Sequence, residues 1–210
     1  MRKWRTALIA GGLVLVGGGG LLAYVVQQRR DPSACPYSQH FSLDLPHPSV
    51  TRTRLLEMLS PEPGQRVLEV GPGTGYYSLS AARRLDSEGT LDILDIQQEM
   101  LDHTMRRASE MGISNIVPTA GDAQALPYPD GHFDSAYLVA TLGEVLNQEC
   151  ALRELRRVLK SDGRLVVGEV LLDPHRVSLD KLRGLANATG LEHERTLQGR
   201  LGYFAAFRAS

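Results

Sequence analysis

Beyond Val50 the chain alternates between two hydrophobic patterns. RVLEV (66–70), TLDILDI (90–96), NIVPTA (115–120), DSAYLVA (134–140) and GRLVVGEVLL (163–172) are short runs dense in apolar residues, the mark of strands buried on both faces. Between them, YYSLSAARRL (76–85), QEMLDHTMRRASEMG (98–112) and NQECALRELRRVLK (147–160) repeat their apolar residues three and four apart, the period of a helix with one buried face. Gly112 stops the second of these. Such alternation predicts an α/β domain, a parallel sheet with helices on both faces, whose ligand site lies beyond the carboxyl ends of the strands, after Val70, Asp95, Ala120 and Ala140. The pattern changes after a helix expected at about residues 178–189. LEHERTLQGRLGYFAAFRA holds two strand-like runs joined by a glycine-bearing turn, short enough only for an antiparallel hairpin.

The amino terminus has a different character. Residues 6–26, TALIAGGLVLVGGGGLLAYVV, carry no charge, and about twenty such residues cross the hydrocarbon core as a helix. We read residues 1–30 as a membrane anchor with basic flanks. A cleaved signal peptide is the alternative, but the apolar stretch is longer than the usual signal core and no A-x-A site follows it. Arg2, Lys3 and Arg5 precede the span and Arg29 and Arg30 follow it, so the positive-inside rule does not fix the orientation. Residues 31–49, rich in proline and polar residues, form a juxtamembrane linker able to close over the domain of residues 50–210.

Composition narrows the function. The 210 residues are 42% hydrophobic and 22% charged, with a net charge of −1, so no basic field is available for nucleic acid. Cys35 and Cys150 have no metal-ligand spacing, and neither a metal nor a disulfide framework is expected.

The informative loop is VLEVGPGTGYYS, residues 67–78. Gly71, Gly73 and Gly75 permit a backbone that a ligand approaches closely, at a strand-to-helix turn whose N–H groups face outward. Asp95 follows Gly75 by twenty residues, at the end of the next strand, where a carboxylate accepts hydrogen bonds from both hydroxyls of a ribose. The ligand therefore contains a nucleoside. The dinucleotide pattern G-x-G-x-x-G requires a small sixth residue, and counting from Gly71 that place is Tyr76, which counts against an NAD(P)-dependent oxidoreductase.

With these residues in place, VLEVGPGTG resembles motif I of the class I S-adenosylmethionine-dependent methyltransferases. LDILDIQQEML, GDAQALPYPDGHFD and LRELRRVLKSDGRLVVGE resemble their later motifs, in the same order. Over residues 50–210 the likeness is greatest to the small methyltransferases related to ubiquinone and menaquinone biosynthesis. It implies a Rossmann-like seven-stranded sheet of order 3-2-1-4-5-7-6 with the last strand antiparallel, and S-adenosylmethionine as the cofactor. By the same resemblance Glu69, Gly71, Gly73 and Gly75 surround the methionine part of that cofactor, Asp95 binds its ribose and Ile96 its adenine face. Asp122 accepts from the adenine amino group, Ala123 offers an N–H to a ring nitrogen, and Val139 and Ala140 line the sulfonium side.

The acceptor side is less legible. Related enzymes often carry histidines after the fourth strand, where this chain has ATLGEVL, so no catalytic residue transfers to it. Glu144, His40 and Tyr37 are the candidate bases; the competing expectations are that Glu144 only stabilises a helix start and that His40 and Tyr37 lie in a solvated linker. His103 and His175 read as surface residues. The expectation from sequence is a single-pass membrane methyltransferase with its catalytic domain in the cytoplasm, acting on a small, lipophilic acceptor and not on nucleic acid. A non-catalytic cofactor-binding membrane protein is the non-enzymatic alternative.

Overall fold

The structure is a computed structural model that describes residues 34–38 and 48–210. Its elements are α1 (Arg52–Leu59), β1 (Arg66–Val70), α2 (Ser78–Leu85), β2 (Thr90–Asp95), α3 (Gln98–Glu110), β3 (Ile116–Ala120), β4 (Phe133–Val139), a 3-10 turn (Leu142–Glu144), α4 (Gln148–Val158), β5 (Leu159–Val170), α5 (Leu179–Ala188), β6 (Leu191–Gly199) and β7 (Gly202–Ala209). They build one seven-stranded sheet of order β3-β2-β1-β4-β5-β7-β6. The first five strands pair in parallel, and β7 lies antiparallel between β5 and β6. The expected order and the antiparallel hairpin are both present.

The apolar runs of β1, β2, β4 and β5 are explained by burial on both faces, whereas β3, at the edge of the sheet, buries only Ile116 and is not the doubly buried strand its run suggested. Leu68, Val70, Leu138 and Val167 face one layer with Leu152, Leu155 and Leu182 of α4 and α5. Val67, Ile93, Tyr137 and Val166 face the other, against Leu55, Ala82 and Leu101 of α1, α2 and α3. Burying a leucine contributes roughly 1.5–3 kcal/mol, so these two apolar layers are the main source of cohesion.

Two elements depart from the sequence expectation. Helix α1 has no counterpart in the hydrophobic pattern: its single two-turn stretch is too short to show a period, and it starts because the Thr51 Oγ1 accepts the Arg54 N–H while Leu55, Met58 and Leu59 are buried. Strand β5 begins at Leu159 rather than Gly163, since Leu159 already pairs with Phe133 across a register shift that carries Asp162 at a φ of 62°.

Among the described residues no helix is long and apolar enough to cross a membrane. The apolar stretch of residues 6–26, expected to be an anchor, lies outside the described residues, as do His40 and most of the 31–49 linker.

Candidate functional site

Where parallel strands end, their carboxyl edges point into space that the following helices do not fill, and here the loops after β1, β2, β3 and β4 enclose a cavity of about 330 Å³. That lies at the lower end of the range for small-molecule sites, ~300–1,000 Å³. Its wall includes Val70, Gly71, Gly73, Tyr76, Asp95, Ile96, Asp122, Ala123, Val139, Ala140 and Glu144. Nearly all the residues that the sequence assigned to a nucleoside site are thus brought together by one topological feature.

The glycine loop works through space more than through donors. Gly71 has a φ of 72°, and a Cβ there would lie 2.5 Å from the Thr141 Cγ2 and Oγ1. Its N–H is not free: it donates to the Leu94 carbonyl at 2.8 Å, and the Gly75 N–H donates to Pro72 at 2.9 Å. The expectation that the glycine N–H groups face a ligand is corrected at these two positions, because the tight turn needs them to close on itself. Gly75 and Glu69 lie behind the cavity wall. A Cβ on Gly75 would press on Thr104, whose hydroxyl holds the Gly73 carbonyl at 3.1 Å. Glu69 is fully buried, accepts the Ser78 hydroxyl, and burial pushes its pKa up to about 7. These two residues support the loop from beneath.

Asp95 closes β2 with its Oδ1 accepting the Gln97 N–H at 2.9 Å. Burial raises its pKa, opposed by the backbone N–H groups of Gln97, Gly73 and Ile96, which favour the carboxylate. Ile96 beside it is 64% exposed, an apolar surface left uncovered at the cavity. After β3, Asp122 accepts the Gln124 N–H at 2.8 Å and so shapes the turn as well as lining the cavity. Ala140 follows β4 with a φ of 53° while its N–H donates to the Gly168 carbonyl. A non-glycine residue in that conformation costs of order 1–3 kcal/mol and is kept where the surroundings fix it, typically at a site.

Residues 34–38 cross this cavity. Ala34 and Cys35 form part of its wall. The Gln97 side chain holds the strap twice, donating from Nε2 to the Cys35 carbonyl at 2.9 Å and accepting the Tyr37 N–H on Oε1 at 3.1 Å. On the far side the Cys35 N–H donates to the Glu144 carboxylate at 3.3 Å. Of the two expectations for Tyr37, closure rather than solvation is observed: its hydroxyl lies 3.2 Å from the His103 Nδ1, so His103 is half-buried under the strap and is not a plain surface residue. Sequence reasoning missed Gln97 and Cys35, because a glutamine at a helix start and a lone cysteine carry no pattern.

Glu144 does not start a helix; Asn147 caps α4 through the Cys150 N–H. Glu144 instead sits in the 3-10 turn against the cavity, where burial, together with Asp173 and Asp95, pushes its pKa up to about 8 against the pull of the Cys35 N–H. The turn is pressed onto the loop after β5, since a Cβ on Gly143 would collide with the His175 carbonyl. His175 is likewise not a surface residue: it is half-buried and its Nδ1 is enclosed.

An adenosyl group with a charged amino acid tail fits the wall: an apolar surface for a base, an aspartate at a strand end for ribose hydroxyls, and a backbone turn that admits no Cβ. The comparisons agree. The sequence pattern of the ubiE/COQ5 methyltransferase family matches residues 42–179. A protein of Cellvibrio japonicus named ubiquinone/menaquinone biosynthesis C-methyltransferase is 40% identical over 119 residues, 56% of this chain and 47% of that protein. Its namesake in Shewanella oneidensis is 33% identical over 123 residues, 58% of this chain and 49% of its own. The match thus spans about half the length of these relatives. An S-adenosylmethionine-dependent methyltransferase of Aquifex aeolicus superposes with a TM-score of 0.78 over 84% of this chain and all of its own, at 20% identity, a likeness of fold. A protein described as the [4+2]-cyclase SpnF superposes at 0.64, 30% identical, over 69% of this chain and 58% of its own.

Proposed function

Given that the chain belongs to the ubiE/COQ5 methyltransferase family, we propose that it transfers a methyl group from S-adenosylmethionine to a small, lipophilic acceptor, a quinone precursor being the class that the names of its relatives suggest. The observation that carries this reading is the division of the cavity wall. One side holds the glycine loop, Asp95, Ile96 and Asp122; the other, formed by Val139, Ala140, Thr141, Val145 and Leu146 with Ala34 and Cys35, is mostly apolar and has Glu144 as its carboxyl group.

In this reading Asp95 takes the ribose hydroxyls, Ile96 the adenine face, Asp122 the adenine amino group and Ala123 a ring nitrogen. Gly71 and Gly73 admit the methionine part, Glu69 and Gly75 hold that loop from behind, and Val139 borders the sulfonium. The cofactor supplies an electrophilic methyl group on a positively charged sulfur. The chain's own work is alignment and removal of a proton: the apolar wall orients the acceptor, the 34–38 strap excludes water, and Glu144 takes up the proton that the acceptor gives off. A glutamate titrating at about pH 8 is a stronger base than an ordinary one and ionises close to neutral pH. Tyr37 is engaged with His103 while Glu144 lines the cavity, which favours Glu144 over Tyr37.

Residues 6–26 anchor the domain to a membrane, on the side where the methyl donor is available, the cytoplasm. Apolar length supports the anchor, and the cofactor supports the side. The fold also occurs in a protein described as a cyclase, so the assay must see the transferred group. Radiolabelled methyl should move from S-adenosylmethionine to a lipophilic quinol in vesicles, with kcat rising as pH increases through about 8. Glu144→Gln should lower kcat ~10²-fold or more and flatten that rise while leaving cofactor affinity unchanged. Cofactor binding without any labelled product across lipophilic acceptors would reduce the protein to a binder.

A further inference from the structure

Exposed apolar residues are ordinary when scattered and informative when they gather. Among the described residues seven large apolar side chains are exposed: Ile96, Met111, Val117, Leu146, Leu171, Leu172 and Leu201. Five of them lie at the carboxyl edge of the sheet. Ile96 follows β2, Leu146 follows the turn after β4, and Leu171 and Leu172 follow β5. Leu201 joins them because β7 runs antiparallel to β5, pairing Gly202 with Val170, and the Leu171 N–H donates to the Leu201 carbonyl at 2.9 Å. Ile96 belongs to the cofactor cavity, which leaves four leucines along the rim, Leu172 81% and Leu146 73% exposed. Arg200, beside Leu201, is exposed as well.

The chain reaches its apolar stretch from this same edge. Residues 34–38 lie across the cavity mouth, and only residues 27–33, QQRRDPS, separate Ala34 from the end of the uncharged stretch. Eight Cα steps span at most ~28 Å when fully extended. A domain of this size is ~40 Å across, so the tether is too short to turn the opposite edge toward the membrane in which residues 6–26 would sit. With residues 6–26 in a bilayer, the edge that carries the leucines can face it and the opposite edge cannot.

We infer that the carboxyl edge of the sheet is a bilayer-docking face, in which Leu171, Leu172, Leu201 and Leu146 enter the lipid headgroup boundary and the cavity mouth opens onto the membrane. The inference rests on the anchor reading and goes beyond it by fixing which face the anchor presents. Arg200, exposed beside Leu201, meets lipid phosphates at that face. A lipophilic acceptor then passes from the bilayer past Leu146, which borders the cavity, without crossing water.

The test uses the full chain in vesicles of phosphatidylcholine and phosphatidylglycerol containing brominated acyl chains. Trp4, the one tryptophan, is first removed as Trp4→Phe. Leu172→Trp then reports on the proposed face and Met111→Trp, beyond the end of α3 at the opposite edge, is the control; Leu201→Trp serves should the first variant fold poorly. The expected result is emission from position 172 quenched ~3-fold or more beyond that from 111, as for a side chain ~5–10 Å below the headgroups. Protein that floats with the vesicles but shows equal quenching at the two positions overturns the docking face and leaves the anchor standing. Protein that does not float overturns the anchor and this inference with it. A concentration-dependent blue shift at 172 in detergent, without quenching in vesicles, identifies a second copy of the chain as the occupant and overturns the lipid assignment.

Discussion

Gly71→Ala isolates the feature on which the cofactor half of the site depends. Two costs are separable in the structure. A side chain at a φ of 72° is strained by ~1–2 kcal/mol whatever surrounds it. The new Cβ would also lie 2.5 Å from the Thr141 Cγ2 and Oγ1, so one of the two loops must shift. Thr141 is not free to swing aside, because its hydroxyl holds the Val139 carbonyl at 3.1 Å, and overpacking of this kind costs ~1–3 kcal/mol. Together these predict a loss of ~2–5 kcal/mol and cofactor binding at least ~10-fold weaker. Adding Thr141→Ala removes both atoms at 2.5 Å and leaves the Thr141 Cβ position at 3.1 Å, so the double variant should recover most of the packing part, ~1–3 kcal/mol, but not the torsional part. Denaturant unfolding and calorimetric titration with S-adenosylmethionine, on the two single variants and the double, read both quantities. A Gly71→Ala chain within ~0.5 kcal/mol of the parent, or a double variant no better than the single, would refute the steric account.

Two further outcomes follow from the same geometry. Asp95→Ala should weaken S-adenosylmethionine by ~10- to several-hundred-fold, the loss of charged hydrogen bonds to a ribose, while circular dichroism stays native; unchanged affinity in titration removes Asp95 from the site. Glu169 has one carboxylate oxygen buried without a partner, the other held by the Val177 N–H at 3.1 Å, and burial pushes its pKa up to about 8. Since its folded pKa exceeds the unfolded one, the native state binds the extra proton. Its contribution to stability is full below about pH 4.5 and is lost as pH rises through about 8. Glu169→Gln should therefore flatten the fall in unfolding free energy between pH 5 and pH 8, measured by urea titration; an unaltered slope would mean that the carboxyl is ionised throughout.

Much of this was legible along the chain because it depends on local period and order. Continuous apolar runs such as RVLEV and TLDILDI specify doubly buried strands, and their alternation with helical spacing specifies a parallel sheet whose site lies at the carboxyl edge. Gly71 and Asp95, each at a strand end, were placed there by position alone, and the terminal hairpin by the shortness of its turn. What only the tertiary structure decided is which groups meet across large separations in sequence. Gln97 lies sixty residues from Tyr37 and Glu144 lies 109 from Cys35, yet each pair is hydrogen bonded across the cavity mouth. No pattern in either segment encodes the other. The same holds for pKa: nothing in sequence sets Glu144 and Glu169 apart from other glutamates, and only burial among Asp173 and the packed loops moves them to about 8. Glu69 and Gly75, indistinguishable in the motif from their neighbours, fall behind the wall because alternate residues of a strand point to opposite faces and a tight turn closes on its own N–H groups. Periodicity carries the fold because burial repeats along the chain; the site's chemistry comes from desolvation and distant contacts, which exist only once the sheet has formed.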